Sequence, residues 1–424
     1  MTATTTLNSG EAVPCGPQAD TLTPPDFCRQ SGLKTRPLRV LWIWHAAVVA
    51  EYQKPLALLA RCPGLDMCLL VPDRWPERAG QMVQAEELPG AGFRMFRAPS
   101  VFTGLYFIYF FPDLLVRLLR LRPDIIYCYE EAHTFIAACV LAIRALFMPR
   151  TRVLLYAAQN IRKRYPPPFT MLERFCFRHA DAILACGLTV ARTLRSKGYR
   201  GELRVMPLPT DACAFAPDPD RRADDRRCLW PDMPEDALVV GYAGKLVEEK
   251  GLRTLWQAFS RVAGLRPDVH LALAGDGPLR AELQRAAHSA GLAERVHFAG
   301  VMHNTHLPAF MNALDVFVLP SETRRNWREQ FGRVAVEAMA CGVPVIGSDS
   351  GEIPFVLGEA GVVFPEGDAH ALAQCLLTLL ADPDRRTALA HAGRQRVLRL
   401  FALERVAARH YALYTELAGL TVPA

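Results

Sequence analysis

The stretch EQFGRVAVEAMACGVPVIGSDSGEIPFVLG occupies residues Glu329–Gly358 and predicts, in order, a turn, a helix, a buried strand and a second glycine-rich turn. The helical run extends from Arg333 to Cys341 and ends at Gly342, a common helix terminator. A helix that begins after a turn presents unpaired amides and partial positive charge. The start of this helix therefore suits a bound phosphate.

Two glutamates, Glu329 and Glu337, lie on either side of that helix start, with seven residues between them. Carboxylates accept hydrogen bonds well from sugar hydroxyls. A phosphate-binding helix start between two carboxylates predicts a ligand that carries both phosphate and sugar. The same pattern also fits an ordinary solvated helix with a capping turn.

The composition is that of a globular protein, because 51% of the 424 residues are apolar and 22% are charged. This length is sufficient for two domains, each with its own core. The twelve cysteines show no spacing typical of metal ligands, and we interpret them as reduced thiols of a cytoplasmic protein. No apolar run is long enough to cross a bilayer. Residues 1–36 resemble a disordered tail rather than a secretory signal.

Apolar runs followed by helical segments recur in two series, as is typical of parallel α/β domains. They predict an N-terminal domain over 37–212, a linker over 213–236 and a C-terminal domain over 237–401. A last helix within 402–424 would suit packing against the N-terminal domain. A helix is also predicted over Tyr106–Leu121. The first series predicts strands at 38–44, 67–72, 93–96, 125–129, 153–157, 182–185 and 203–206. We expect the ligand in a cleft between two Rossmann-like domains.

The segment GYAGKLVEEKG places two lysines in a glycine-rich turn at a strand end. Gly244 allows the backbone to approach a ligand closely. Lys245 and Lys250 lie five positions apart, so both can reach one diphosphate and stabilise the charge of a departing phosphate. A surface turn with two solvated lysines is the alternative. No strand turn has GxGxxG spacing, and neither an HExxH motif nor a strand-end DxD motif is present, so we expect no nicotinamide cofactor and no metal.

Polar side chains also follow strands of the N-terminal domain. Glu130, Glu131 and His133 belong to the segment YEEAHTF at the end of one predicted strand. These groups can position or deprotonate an acceptor hydroxyl. His45 in the first strand turn and Asn160 beyond the fifth strand are further acceptor-side candidates. A partly buried turn residue is the alternative reading of each histidine.

Positive charge is concentrated in the first half of the chain. Residues 1–210 contain 26 Lys and Arg against 16 Asp and Glu, and the segment IRKRYPPPFTMLERFCFRH, Ile161–His179, carries much of the excess. A basic face with exposed aromatic residues is able to bind an anionic membrane surface, a lipid diphosphate or nucleic acid. A solvated basic helix is the alternative.

Six segments, taken in their order and spacing, resemble the family 4 retaining glycosyltransferases. They are GKLVEEKG, LALAGDGPL, RVHFAGVM, DVFVLPSE, EQFGRVAVEAMACGVPVIGSDSGEIP and AGVVFPEGD. The resemblance covers residues 238–420 and, more weakly, 38–212. It implies an α/β protein of the GT-B fold, with two Rossmann-like doubly wound domains that face each other across a cleft.

The resemblance also implies roles for particular residues. Glu329 matches the residue that contacts hydroxyls of the donor sugar, and Glu337 matches the one that contacts the ribose of the nucleotide. Lys245 and Lys250 match the cations on the diphosphate. The resemblance also assigns Gly244, Phe331, Gly332 and Met302 to donor binding. Met302 is expected beside the base of the nucleotide. Catalytic roles are expected for Glu329, Lys250, Lys245 and His133.

The chain departs from the family pattern at two places. Many members carry two histidines, two positions apart, at the end of a first-domain strand, where this chain reads Tyr127, Cys128, Tyr129 and Glu130. The domain junction differs as well, since the family's Asn-Gly-Val-Asp is here Leu-Pro-Thr-Asp. The first departure leaves open which N-terminal residue acts on the acceptor.

The resemblance implies a hexosyltransferase that retains anomeric configuration and needs neither a metal nor a cofactor. UDP-sugars are the favoured donors, and the expected acceptor is a lipid-linked glycan or polysaccharide precursor, as in exopolysaccharide assembly. Nucleic acid is not an expected partner. The expected location is cytoplasmic, at the inner face of a membrane with an anionic surface. The alternatives are a nucleotide-sugar epimerase or phosphorylase on the same fold, and a degenerate, membrane-bound partner subunit that only binds donor.

Overall fold

The computed structural model describes Cys28 and residues 36–76 and 80–419. The predicted tail over 1–36 therefore lies outside the described residues, apart from Cys28 and Arg36. The chain divides into two compact units. The C-terminal unit is Thr210–Ala402, and the N-terminal unit consists of the described residues up to Pro209 together with those from Leu403 onward.

The N-terminal unit is built on a parallel sheet of seven strands with helices between them. Its strands are β1 (Leu38–Ile43), β2 (Leu65–Pro72), β3 (Arg74–Pro76), β4 (Met82–Gln84), β5 (Arg94–Ala98), β6 (Ile125–Cys128), β7 (Arg152–Ala157), β8 (Ala182–Ala185) and β9 (Glu202–Val205). Its helices before the C-terminal unit are α1 (Lys54–Ala60), α2 (Leu114–Leu121), α3 (Phe135–Phe147), α4 (Phe169–His179) and α5 (Leu188–Ser196). The strand order is β5-β2-β1-β6-β7-β8-β9, and β3 and β4 form a separate antiparallel hairpin.

All seven predicted strands of this sheet are confirmed, and β8 has the predicted bounds. Every residue of β6 and β8 is buried. Strands covered by helices on both faces need apolar side chains at every position, not at alternate ones. Continuous apolar runs were therefore a reliable signal for this unit.

The predicted helix over Tyr106–Leu121 is wrong in its first half. Helix α2 begins only at Leu114, two residues after Pro112. A residue that precedes proline avoids helical backbone angles, so a helix cannot run into Pro112 from the N-terminal side. The preceding chain instead forms a turn closed by a bridge between Val101 and Phe110, with Val101 N donating to Phe110 O at 3.0 Å.

The C-terminal unit repeats the architecture with six parallel strands. Its strands are β10 (Leu238–Ala243), β11 (Val269–Ala274), β12 (Val296–Gly300), β13 (Val316–Leu319), β14 (Val345–Ser348) and β15 (Val362–Phe364). Its helices are α6 (Arg222–Leu229), α7 (Leu252–Leu265), α8 (Arg280–Ser289), α9 (Leu307–Asn312), α10 (Arg333–Ala340), α11 (Ile353–Leu357), α12 (Ala369–Ala381) and α13 (Pro383–Leu400). The strand order β12-β11-β10-β13-β14-β15 is that of a Rossmann sheet.

Helix α6 lies in the segment 213–236, which had been expected to be an aperiodic linker. Its side chains Arg222 and Arg226 both pair with Asp315, at 2.7 and 2.6 Å. Asp315 also accepts a hydrogen bond from Val239 N at 2.7 Å. The helix is polar and is attached by these ion pairs, so hydrophobic periodicity gave no signal for it.

A last helix, α14 (Leu403–Leu417), belongs to the N-terminal unit. Its Tyr414 hydroxyl accepts a buried hydrogen bond from Trp42 Nε1 at 2.9 Å. The C-terminal unit thus interrupts the N-terminal unit in sequence. The two ends of the interruption lie side by side, because Thr210 N donates to Phe401 O at 2.8 Å and Thr210 bridges to Ala402.

The described cysteines are not joined to one another in disulfide bonds. Within the same residues, no helix combines the length and apolarity that crossing a bilayer requires.

Candidate functional site

The strand order of the C-terminal unit reverses direction between β10 and β13, which pair in register at Gly241 and Phe317. In open parallel sheets, ligands bind at the carboxyl ends of the strands beside such a reversal. The turn after β10 contains Lys250, and the loop after β13 contains Glu329. The fold therefore brings together two residues that are far apart in the sequence.

Lys250 and Glu329 form a direct ion pair. Lys250 Nζ lies 2.6 Å from Glu329 Oε2, and the Ser321 hydroxyl donates to the same oxygen at 2.8 Å. The ammonium also lies 4.8 Å from the centre of the Trp327 ring, in cation–π geometry. Glu329 is only 7% exposed. The pair is therefore partly shielded from water, which strengthens its electrostatic interactions.

Backbone packing fixes both halves of this pair. Gly251, which follows Lys250, has φ +68°, and a Cβ at this position would lie 1.8 Å from Pro320 O. Gly351 has φ +59°, and a Cβ there would lie 1.9 Å from Glu329 O. Only glycine permits these close approaches. The positions of the ammonium and the carboxylate are thus set by the chain itself as well as by side-chain contacts.

Helix α10 begins directly after this loop. Gly332 precedes it with φ +80°. The Phe331 side chain is buried and packs edge-on against Phe401, with 5.7 Å between ring centres. Glu337 is half-buried in the helix. The predicted helix start is confirmed, and Phe331 anchors it to the core of the unit.

The remaining predicted donor residues lie on neighbouring turns. Gly244 follows β10, and its N–H donates to Ala274 O at 2.9 Å. Lys245 is exposed, and within the described part of the chain its ammonium forms no ion pair. Met302 is half-buried in the loop after β12. The structure thus pairs Lys250, and not Lys245, with Glu329.

The N-terminal unit has its own strand reversal, between β1 and β6. Ile43 and Cys128 are in register at the ends of the two strands, and His45 and Glu130 each follow two residues later, beyond the strands. Glu130 Oε1 lies 2.6 Å from His45 Nδ1 and accepts hydrogen bonds from His45 N at 3.1 Å and the Tyr109 hydroxyl at 2.7 Å. Two of the acceptor-side candidates are therefore in direct contact.

Glu131 and Asn160 line the adjoining strand ends. Glu131 Oε1 accepts hydrogen bonds from Ala158 N and Gln159 N, at 2.7 and 2.9 Å. Burial raises the pKa of Glu131 to about 7, although the two backbone donors act in the opposite direction. Asn160 is buried next to them, and its backbone carbonyl accepts a hydrogen bond from the Thr193 hydroxyl. Glu131 therefore keeps its proton to a higher pH than an exposed glutamate does.

His133 is placed differently from the other candidates. It is 4% exposed and stacks on Tyr165, with 4.1 Å between ring centres. Burial, with smaller contributions from Lys197 and Lys163, lowers the pKa of His133 to about 3. The imidazole is therefore neutral at physiological pH. The structure does not bring His133 into the His45–Glu130 pair, and its catalytic role stays a prediction.

Comparison with known proteins covers both units. The family profile described as "Glycosyl transferases group 1" matches residues 231–396, and the profile described as "Glycosyltransferase Family 4" matches residues 68–212. Both profiles describe glycosyltransferases, and together they match most of the chain. The predicted family resemblance is thereby confirmed.

Two relatives within this group are similar over part of their length. A GDP-mannose-dependent alpha-(1-6)-phosphatidylinositol monomannoside mannosyltransferase from Mycolicibacterium smegmatis is 38% identical over 48% of this chain and 55% of the relative. A lipopolysaccharide core biosynthesis glycosyltransferase, LpsE, from Rhizobium meliloti is 34% identical over 54% of this chain and 63% of the relative. The matches thus span between half and two thirds of these relatives.

The fold of the chain is also that of a solved structure. Sucrose-phosphate synthase from Thermosynechococcus elongatus superposes with a TM-score of 0.68 and 24% identity, over 90% of this chain and 99% of that one. The expected GT-B fold, with two Rossmann-like units, is confirmed.

Sequence reasoning did not assign three side chains of these sites. Ser321 lies in the segment DVFVLPSE, but only the fold shows that its hydroxyl reaches Glu329. Trp327 precedes Glu329 by two residues and carries no sequence signal for its contact with Lys250. Tyr109 lies 21 residues from Glu130, in the turn that had been expected to be helical.

The described residues contain no cluster of three or more His, Cys, Asp or Glu side chains suited to a metal ion.

Proposed function

We propose that this protein transfers a hexosyl group from a nucleotide diphosphate sugar to a hydroxyl acceptor, with retention of anomeric configuration. The observation that carries the proposal is the Lys250–Glu329 pair at the strand reversal of the C-terminal unit, 2.6 Å apart. A cation beside a buried carboxylate suits a ligand that has both a diphosphate and a polyol. A nucleotide sugar has these two groups next to each other.

In the proposed reaction, the bond between the anomeric carbon and the diphosphate oxygen breaks, and the acceptor oxygen forms a new bond on the same face. The acceptor proton passes to the leaving phosphate oxygen, and a nucleoside diphosphate and a glycoside result. Lys250 stabilises the charge that develops on the diphosphate, because its ammonium has three N–H donors and the contact with Glu329 uses one. Glu329 holds hydroxyls of the donor sugar, Glu337 holds the ribose, and Lys245 adds positive charge.

We propose a UDP-hexose as the donor. The name of the M. smegmatis relative specifies GDP-mannose, so the purified protein should be incubated with labelled UDP-glucose and GDP-mannose, each with and without an acceptor. Acceptor-dependent release of the nucleoside diphosphate supports the proposal. Formation of an epimer, or of a sugar phosphate, without acceptor would identify an epimerase or a phosphorylase instead.

A donor-binding partner subunit without activity is the non-enzymatic alternative. The variant Glu329→Ala should lose transfer, whereas Glu359→Gln changes an exposed glutamate of the same unit and should retain it. Donor binding without transfer in the wild-type protein, measured by thermal shift with each nucleotide sugar, would favour the alternative.

We also propose an anionic membrane surface as a partner and a lipid-linked glycan as the acceptor. Support comes from large apolar side chains exposed on three neighbouring parts of the N-terminal unit: the turn before α2, helix α2 itself, and the end of α3. They are Phe102, Leu105, Phe107, Leu115, Val116, Leu119, Leu146 and Phe147. Exposed Arg120 and Arg122 lie at the end of α2. Apolar side chains beside arginines fit a surface of anionic lipids.

This apolar face differs from the one expected from the sequence. The segment Ile161–His179 had been expected to expose aromatic residues, yet Phe169 and Phe177 are half-buried against Phe107 and Tyr199. Aromatic rings next to a sheet gain more from packing than from solvent exposure, even within a basic segment.

Sedimentation with vesicles tests the membrane proposal. The wild-type protein should bind vesicles that contain phosphatidylglycerol more tightly than vesicles of phosphatidylcholine alone. The variant Leu115→Asp/Leu119→Asp should lose this preference. Leu265→Asp, which changes a leucine 69% exposed on the C-terminal unit, is the matched control and should bind normally. Equal binding of both vesicle types by the wild-type protein would contradict the proposal.

A further inference from the structure

At the strand reversal of the N-terminal unit, a single carboxylate oxygen receives several donors. Glu130 Oε1 accepts from His45 N and from the Tyr109 hydroxyl, and it also lies 2.6 Å from His45 Nδ1. A backbone N–H is able only to donate, so Oε1 is an acceptor toward His45 N, and the Tyr109 hydroxyl donates to the same oxygen.

The arrangement determines the tautomer of His45. Two acceptors cannot lie 2.6 Å apart without a proton between them, and Oε1 already accepts from two other donors, so we assign the hydrogen to Nδ1. A neutral imidazole has one N–H and one lone pair on its ring nitrogens. Nε2 of the neutral His45 ring is therefore a hydrogen-bond acceptor.

Only His45 within this cluster is open to a ligand. Its side chain is 19% exposed, whereas that of Glu130 is fully buried. Tyr109 is fully buried too. The rings of Trp75 and Tyr106 flank the imidazole, with centres 4.7 and 5.3 Å from it. The cluster therefore presents one acceptor nitrogen between aromatic walls.

Stability alone does not account for Glu130. In the described part of the chain, its second oxygen, Oε2, is buried without a hydrogen-bond partner, and its only ion-pair partner is His45. Burial of a carboxylate without a lysine or arginine partner is unfavourable. The contacts of the Glu130 carboxylate are thus with His45 and Tyr109, through Oε1.

We propose that His45 Nε2 accepts a hydrogen bond from a sugar hydroxyl of the bound substrate, and that Glu130 and Tyr109 are positioning residues that hold the ring. The inference rests on the proposed sugar transfer. A hydroxyl fits because it donates a proton to the lone pair, whereas a phosphate oxygen at the same place would meet another acceptor. The hydroxyl belongs either to the donor hexose or to the acceptor glycan.

Nitrogen NMR of histidine-labelled full-length protein tests the tautomer independently of activity. His45, assigned by comparison with His45→Phe, should show a protonated Nδ1 and an unprotonated Nε2. If the donor hexose supplies the hydroxyl, UDP-glucose or GDP-mannose should shift the Nε2 resonance, and UDP or GDP alone should not. A protonated Nε2 in the neutral ring overturns the inference, even if transfer is observed.

Kinetics with the donor that the wild-type protein uses test the role in catalysis. His45→Phe should lower kcat/KM roughly 10- to 100-fold, the usual effect of losing one well-placed hydrogen bond. A higher KM for acceptor, together with an Nε2 resonance that donors do not shift, assigns the hydroxyl to the acceptor. Unchanged kinetics together with an unshifted resonance overturns the inference. Absence of transfer in the wild-type protein instead contradicts the proposed function, and the NMR titration still tests His45.

A double-variant comparison separates positioning from a structural role. Glu130→Gln should lower kcat/KM in the wild-type background and have no further effect in the His45→Phe background, because the carboxylate acts through the ring. Tyr109→Phe should behave in the same way. Glu51→Gln changes an exposed glutamate of the same unit and is the control. Equal losses in both backgrounds would indicate a structural role for Glu130 and contradict the proposal.

Discussion

The two units place different groups at the same topological position, the reversal of strand order in a parallel sheet. In the C-terminal unit the position holds an ammonium paired with a carboxylate, Lys250 with Glu329, beside a helix start. In the N-terminal unit it holds an imidazole paired with a carboxylate, His45 with Glu130, between aromatic rings. The first arrangement suits an anion, and the second suits a neutral hydroxyl. The fold thus sets where a ligand binds, whereas the side chains set which chemistry it meets.

Removal of the Lys250 ammonium is expected to have the largest effect on activity. Lys250→Ala should lower kcat about 100- to 1000-fold, because a fixed cation no longer stabilises the leaving diphosphate. Steady-state release of nucleoside diphosphate measures the change. Arg261→Ala, an exposed charge on α7, should leave kcat unchanged. A Lys250→Ala enzyme with wild-type kcat would remove the charge pair from the proposed reaction.

A substitution at Gly251 tests the close backbone packing of the C-terminal site without changing its charge. Gly251→Ala introduces a Cβ 1.8 Å from Pro320 O at φ +68°, so we expect a loss of about 2–3 kcal/mol in the free energy of unfolding. Urea denaturation monitored for the C-terminal unit measures it. Gly264→Ala is the matched control, because no atom lies within 4 Å of the added Cβ, and a helical alanine should stabilise by up to about 1 kcal/mol. Equal stability of the two variants would contradict the close approach.

The N-terminal site should respond to pH through Glu131. Its pKa is raised from 4.5 to about 7 by burial, so the folded state binds the proton more tightly than the unfolded state does. The stability that this proton provides is fully present below about pH 4.5 and is lost as the pH rises through 7. Glu131→Gln keeps the acceptor oxygen without the charge. The free energy of unfolding of the Glu131→Gln variant, relative to that of the wild type, should therefore increase by roughly 1–3 kcal/mol between about pH 5 and pH 8. Parallel stability curves for the two proteins would contradict the shift.

The smallest effect is expected from the ring beside Lys250. Trp327→Leu removes a cation–π contact of 4.8 Å but leaves the ion pair with Glu329 in place. Such contacts contribute about 0.5–1 kcal/mol at partly exposed sites, so KM for the donor should rise roughly 2- to 5-fold with little change in kcat. Trp327→Phe retains a ring and should lie between the variant and the wild type. A larger change in kcat than in KM would assign Trp327 a role beyond holding the ammonium.

Much of the fold was predictable because its strands are buried on both faces. Continuous apolar runs marked the strands of the N-terminal sheet, and the glycine turns located Lys250, Glu329 and Gly332. Helix α6 escaped prediction because ion pairs with Asp315, and not an apolar stripe, attach it to the unit. The turn before α2 differs from the predicted helix because Pro112 keeps its preceding residue out of helical backbone angles, although the apolar run continues across it.

Contacts within the sites were harder to predict than the residues that form them. His45 and Glu130 are separated by 85 residues and meet because Ile43 and Cys128 are in register. A sequence indicates which segments are strands but contains little information on which strands are neighbours. For the same reason, both lysines of the glycine turn were candidates, and only the three-dimensional arrangement selected Lys250 as the partner of Glu329.

The paired ends of the C-terminal unit have a consequence for recombination. Residues 210–402 leave and re-enter the N-terminal unit at adjacent positions, where Thr210 N meets Phe401 O and bridges to Ala402. Such an insertion can be exchanged as one cassette, because both junctions coincide and helix α14 stays with the unit that it completes. Chimeras joined at this bridge would combine the C-terminal unit of one family 4 member with the N-terminal unit of another. Evolution has the same route available for recombining the two units.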